Sequence, residues 1–111
     1  MAADTTTLTE KMRAALRISS TSEKITEEIN DCIAACKADM KNDGVKVIKE
    51  TDGLIIRAIT LYCKAEFGFN NAAEQFRKSY DALKMRLSLS AEYNTASQVS
   101  ETDTNSTESG V

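Results

Sequence analysis

The chain has 111 residues, enough for one domain, and it contains no Pro, no Trp and no His. The absence of His removes the commonest general base and the commonest metal ligand, and no segment has the roughly 20 apolar residues of a membrane-spanning helix. Three Cys is an odd number, and the N-terminal MAADTTTLTE has neither a basic nor an apolar run, so we expect an intracellular protein with reduced cysteines.

The net charge of −3 is unevenly distributed along the chain. Residues 1–90 hold all 14 basic and 13 acidic side chains, whereas residues 91–111 hold four acidic side chains and no basic one. The second segment also has eight Ser and Thr, and its only large apolar side chains are Tyr93, Val99 and Val111. We therefore predict a helical domain at 1–90 and a flexible acidic tail at 91–111 that becomes ordered on a partner.

Two helices are predicted in the first half of the chain. The first, from about residue 7 or 8 to 17, has one apolar stripe at helical spacing, formed by Leu8, Met12, Ala15 and Leu16. A run of small hydroxyl residues follows, in which Ser20 has capping-box spacing to Glu23 and Ser22 is an equally good cap. The second helix, predicted at 23–42, has the cleanest amphipathic pattern, with Ile25, Ile29, Cys32, Ile33, Cys36 and Met40 on one face.

The secondary structure of residues 45–51 is ambiguous, because the segment mixes β-branched and charged side chains. The segment fits either a short strand or an extended loop, and a lone strand has no partner within its own chain. We therefore predict a subunit interface made by this segment and the next helix: Val45, Lys46, Val47, Ile48, Lys49, Ile55 and Ile56.

The third and fourth helices complete the predicted bundle. The third runs from Asp52, a capping residue, to the helix-ending Gly68, and it is apolar on nearly every side, so it must be surrounded. The fourth ends near Leu89, and Asn71 has cap spacing to Glu74 at its start. The fold class is therefore all-α, a small bundle of about four helices with a short extended segment at 45–51.

Motifs that could carry catalysis are weak in this sequence. Cys32, Cys36 and Cys63 lack the fourth ligand of a metal site and the His of a nucleophile site, so we interpret them as small core residues. No Asp or Glu lies inside an apolar run where burial would raise its pKa, and the four Gly are scattered rather than clustered before a helix. We expect no enzyme activity.

A DNA-binding regulator of helix-turn-helix type is the alternative function. Four short helices could contain that motif, and the last helix has basic residues at Arg77, Lys78, Lys84 and Arg86. Glu74 and Asp81 share that helix, however, and a net charge of +1 over residues 1–90 is a weak basic footprint for a DNA reader.

Four segments in order resemble a known family: LTEKMRAALRIS (8–19), ITEEINDCIAACKADMKNDGV (25–45), DGLIIRAITLYCKAEFG (52–68) and FRKSYDALKMRLSLSAEY (76–93). They resemble the small α-helical head–tail connectors of long-tailed bacteriophages, often labelled DNA-packaging proteins. The resemblance implies a ring, typically of twelve copies, beneath the portal in the virion neck. Such a ring extends the channel for double-stranded DNA without sequence-specific binding and docks a stopper or tail-terminator protein.

The resemblance also implies a protein with no catalytic site, no cofactor and no membrane contact, present in the host cytoplasm during assembly. The C-terminal segment of such proteins reaches toward the portal, which here implies docking through Tyr93, Val99 and Val111. The residues themselves agree with assembly, because a ring needs two different adhesive faces on each subunit and the third helix has surplus apolar surface.

Overall fold

Residues 7–95, the part of the chain that the computed structural model describes, form an all-α fold. Four longer helices and one short helix follow one another: α1 (Leu8–Ala15), α2 (Glu23–Asn42), α3 (Gly53–Glu66), α4 (Ala73–Ser88) and α5 (Ala91–Asn94). A 3-10 turn at Phe69–Asn71 joins α3 to α4, and no strand occurs between residues 7 and 95. The predicted all-α class is confirmed.

Side-chain caps define the beginnings of the first three helices. The Asp52 carboxylate accepts hydrogen bonds from the backbone N–H groups of Leu54 (2.8 Å) and Ile55 (3.3 Å), so the predicted cap of α3 is confirmed. Of the two candidate serines before α2, Ser22 is the cap, because its hydroxyl accepts from the Ile25 N–H. These bonds satisfy N–H groups that have no partner inside the helix.

Residues with a positive φ follow the ends of the first three helices. Gly44 (φ 106°) follows α2 and Gly68 (φ 65°) follows α3, as expected for residues without a Cβ atom. At the end of α1 the same role falls to Arg17 (φ 58°), where the Ile18 N–H donates to the Arg13 carbonyl at 3.0 Å. The turn at Arg17 could not be predicted from the sequence, because Arg rarely adopts a left-handed conformation.

The predicted cap of the fourth helix is wrong. Asn71 does not cap α4, since its backbone is left-handed (φ 57°), like that of Asn70 (φ 55°), whereas an N-cap residue is extended. The helix begins at Ala73, and Ala72 precedes it without a side-chain cap. The two asparagines instead form the tight turn that reverses the chain between α3 and α4.

Helix α3 lies at the centre of the fold and packs against α1, α2 and α4, as its apolar surface required. Its buried residues Ile55, Ala58, Ile59 and Cys63 belong to one continuous core. The other helices add the residues of their apolar faces: Leu8, Met12, Leu16, Ile29, Cys32, Ile33, Cys36, Met40, Tyr80, Leu83 and Leu87.

The folded body extends past the predicted boundary at residue 90. Ser90 to Thr95 turns back along the end of α4, and the Asn94 amide donates to the Ser88 carbonyl at 2.9 Å. Tyr93 enters the core with only 7% of its surface exposed. Tyr93 is therefore part of the helical body rather than of a free tail.

Candidate assembly surfaces

The segment at 45–51 is an extended loop whose backbone already has a partner in its own chain. The N–H groups of Lys46 and Val47 both donate to the Tyr93 carbonyl oxygen, at 2.7 and 3.0 Å. Glu50 forms an ion pair with Lys37 of α2, which fixes the far end of the loop. Within its own chain the segment is therefore an extended loop.

The residues of the predicted subunit interface fall into two groups. Val45 and Ile55 are fully buried in the core and Val47 is 5% exposed, so these side chains contact their own chain. Lys46 and Lys49 are exposed, and Ile48 and Ile56 are half-buried. Between Val45 and Val47 the division follows period-two alternation, because both valines point inward and Lys46 points outward. The alternation stops there, since Lys49 is exposed, and Ile55 and Ile56 lie on α3.

Tyr93 connects the C-terminal segment to the start of α3. Its hydroxyl donates to the Asp52 carboxylate, with oxygen distances of 2.9 and 3.1 Å, while the same carboxylate caps α3. Burial and this hydrogen bond raise the pKa of Tyr93 to about 12. The side chain predicted to contact the portal thus faces its own chain, and the predicted contacts Val99 and Val111 lie outside the described residues.

An acidic cleft opens between α2 and α3, with a volume of 390 Å³. Its charged lining residues are Glu28, Asp31 and Glu66, with no basic residue among the seven that line it. Glu66 is neutralised by an ion pair with Arg77, whose guanidinium lies 5.0 Å from the Tyr62 ring centroid. Glu28 and Asp31 are exposed, so they dominate the charge of this surface.

A basic groove runs along the outer face of α3 and the junction of α3 with α4. It consists of two adjoining depressions of 410 and 310 Å³ that share Arg57 and Leu61. Three basic residues, Arg57, Lys64 and Arg86, line them and no acidic residue does. The apolar part includes Leu61 and Leu54, and Leu54 is 41% exposed.

A partly buried charge network ties α4 to the end of α2. The Asp39 carboxylate accepts from the Tyr80 hydroxyl (2.6 Å) and from the Lys84 ammonium (2.8 Å), and Lys84 also pairs with Asp43 at 2.6 Å. Burial alone would raise the pKa of Asp39, but the hydrogen bonds from Lys84 and Tyr80 hold that pKa below its usual value.

This network bears on the DNA-binding alternative. Of the four basic residues on α4, Lys84 is bound to Asp39 and Asp43, and Arg77 is bound to Glu66. Two of the four basic residues are therefore already paired with carboxylates of the same chain, which weakens the case for a DNA-reading helix.

All three cysteines are buried and unbonded, as the core interpretation predicted. Burial raises the pKa of Cys36 to about 12, so the thiol stays protonated and unreactive at neutral pH. Within residues 7–95 no group of three or more His, Cys, Asp or Glu is placed to hold a metal ion. None of the described helices is long and apolar enough to cross a membrane.

Comparison with protein families identifies the chain. A family model described as "Phage connector protein" matches residues 8–94, which is most of the sequence and nearly all of the described fold. The chain belongs to this family. No curated protein and no solved structure gives a significant match.

Family membership makes this connector a structural protein of the phage head–tail junction. It implies a component of the virion neck that interacts with portal and tail proteins, and it suggests a role without catalysis. The surfaces described above are therefore candidate assembly surfaces. The acidic cleft and the basic groove were not predicted from the sequence, although helical-wheel positions on α2, α3 and α4 contained a signal for both.

Proposed function

We propose that this connector forms a ring of twelve copies beneath the portal at one capsid vertex. The ring extends the channel through which double-stranded DNA passes, without reading its sequence, and it supports a stopper or tail-terminator protein on its far side. The protein stays in the host cytoplasm until it joins the vertex. The observation that carries this proposal is the family match across residues 8–94.

The surface chemistry of the subunit supports assembly rather than DNA binding. Lys46, Ile48, Lys49 and Ile56 remain available for subunit contacts. Residues 1–90 carry a net charge of only +1, which suits a channel that lets DNA slide better than a surface that grips phosphates.

The acidic segment beyond Thr95 is the proposed contact with the portal. It carries Glu101, Asp103 and Glu108 and no basic residue, and Val99 and Val111 are its apolar anchors. Tyr93 fixes the start of this segment on the body, which limits the positions it can reach. Ordering on a partner opposes binding by lost entropy, so the contact needs many copies acting together.

Immunogold electron microscopy of purified virions tests the proposal directly. Antibody to this chain is expected to label the neck, between capsid and tail. Label confined to the capsid shell or the tail tip, or absent from the virion, contradicts it. A gel-shift titration at two salt concentrations tests the regulator alternative, since tight sequence-selective binding with a steep salt dependence would favour a DNA reader.

A further inference from the structure

The subunit carries two surfaces of opposite charge on different sides of α3. The acidic seam is the cleft between α2 and α3 that contains Glu28 and Asp31. The basic seam is the groove along α3 and α4 that contains Arg57, Lys64 and Arg86. Their largest depressions are similar in volume, at 390 and 410 Å³.

The two seams point in different directions from the subunit. Arg57 and Glu66 are nine residues apart on α3, which at about 100° per residue places them on opposite sides of the helix. Glu66 lines the acidic seam and Arg57 lines the basic seam. One surface therefore cannot neutralise the other within the same subunit.

We infer that the basic seam of one subunit binds the acidic seam of the next copy in a head-to-tail contact. This inference rests on the proposed ring and specifies which two faces form it. A ring requires a heterologous interface, in which two different patches of each subunit meet, and opposite charges fix the direction of pairing. Because the two seams lie on opposite sides of α3, a two-fold dimer cannot pair both of them at once, and two like faces would repel each other.

The apolar and small side chains at both seams allow close approach. The basic seam contains Leu61 and the partly exposed Leu54, which lose water when covered. On α2 the acidic seam is lined by the exposed Ala35, and the exposed Ala38 follows it three residues later. Because alanine side chains are short, α2 can approach the basic seam of a neighbouring copy closely, which brings Glu28 and Asp31 toward its basic residues.

Charge reversal on each face provides the test. One variant carries Arg57→Glu with Arg86→Glu and so has two acidic faces, whereas the other carries Glu28→Lys with Asp31→Lys and has two basic faces. Each variant alone is expected to associate at least about tenfold more weakly than the wild type at 50 mM NaCl. A 1:1 mixture is expected to recover association, because the two kinds of subunit then pair in strict alternation.

The measurement is sedimentation velocity of purified chain up to 1 mM, followed by native mass spectrometry of the mixture. In a closed ring, alternation predicts complexes with equal numbers of the two variants and therefore an even copy number. The control Lys11→Glu with Lys41→Glu changes the net charge by the same amount as the basic-seam variant, at exposed positions outside both seams. Its association is expected to stay within about threefold of the wild type.

Three results would overturn the inference. In the first, the wild type stays monomeric at 1 mM in 50 mM NaCl. In the second, either charge-reversed variant alone associates as strongly as the wild type. In the third, the 1:1 mixture associates no more strongly than each variant alone. None of these results bears on virion labelling at the neck, so failure of the inference and failure of the proposed function are distinguishable. Circular dichroism melts of all variants confirm that each subunit is folded.

Discussion

Removing the Tyr93 side chain should destabilise the whole subunit, even though it lies at the start of an acidic tail. The ring is 7% exposed and belongs to the core, and its hydroxyl binds the carboxylate that caps α3. Truncating a buried aromatic residue to Ala costs about 3 kcal/mol at the lower end of the observed range. A body of this size has a total stability of roughly 4–13 kcal/mol, so Tyr93→Ala removes a large fraction of it.

Two matched variants separate the contributions of this contact. Tyr93→Phe keeps the ring and loses the hydrogen bond to Asp52, at a cost of about 1 kcal/mol. In a body of this size each kcal/mol corresponds to about 4–8 °C in melting temperature. Because the composition of residues 96–111 predicts a flexible acidic tail, a stop codon after Thr95 should leave the melting temperature equal to that of the full chain.

Urea unfolding followed by circular dichroism at 222 nm measures the free energy of unfolding of all three variants. A Tyr93→Ala subunit within about 0.5 kcal/mol of the wild type, the usual range for surface changes, would refute the reasoning. The pH dependence gives a second readout, because the pKa of Tyr93 rises from 10.0 to about 12 in the folded state. A raised pKa gives stability that is complete below pH 10 and is lost as the pH rises toward 12, and Tyr93→Phe should lack that component.

Three further predictions follow from local geometry. Gly44→Ala should destabilise the subunit by about 1 kcal/mol in urea, because its φ of 106° strains any residue with a Cβ atom, whereas Gly53→Ala, which meets open space at the start of α3, should be neutral or stabilising. Lys84→Met should cost about 1 kcal/mol at pH 7, and equal stability of variant and wild type would contradict the network described above. Because the pKa of Asp39 is depressed in the folded state, its ionised carboxylate stabilises the fold above pH 4, and this contribution is lost at lower pH. When urea titrations are repeated between pH 4 and 2, the free energy of unfolding of Lys84→Met should therefore fall less than that of the wild type. The native thiol of Cys36 should react with iodoacetamide at pH 8 at least about 100-fold more slowly than free cysteine, and full reactivity without urea would show that the core opens.

The sequence predicted most of the helical framework, because its signals are local. Apolar side chains at helical spacing locate α2, and the capping carboxylate of Asp52 and the left-handed Gly68 bracket α3. Where a local signal was misleading, the prediction failed. Asn71 has the residue type and spacing of a cap, but the tight turn after α3 forces it into a left-handed conformation.

By itself the sequence determined the fold class, the helix positions and the family, since each depends on residue order and periodicity within short segments. Only the tertiary structure decided which predicted interface residues remain outside the core: Val45, Val47 and Ile55 are covered, while Lys46 and Lys49 are exposed. The structure alone also joined Tyr93 to Asp52, 41 residues away, and separated an acidic seam from a basic one. Such pairings arise from the angles at which helices pack, and those angles bring together residues with no regular spacing in the chain.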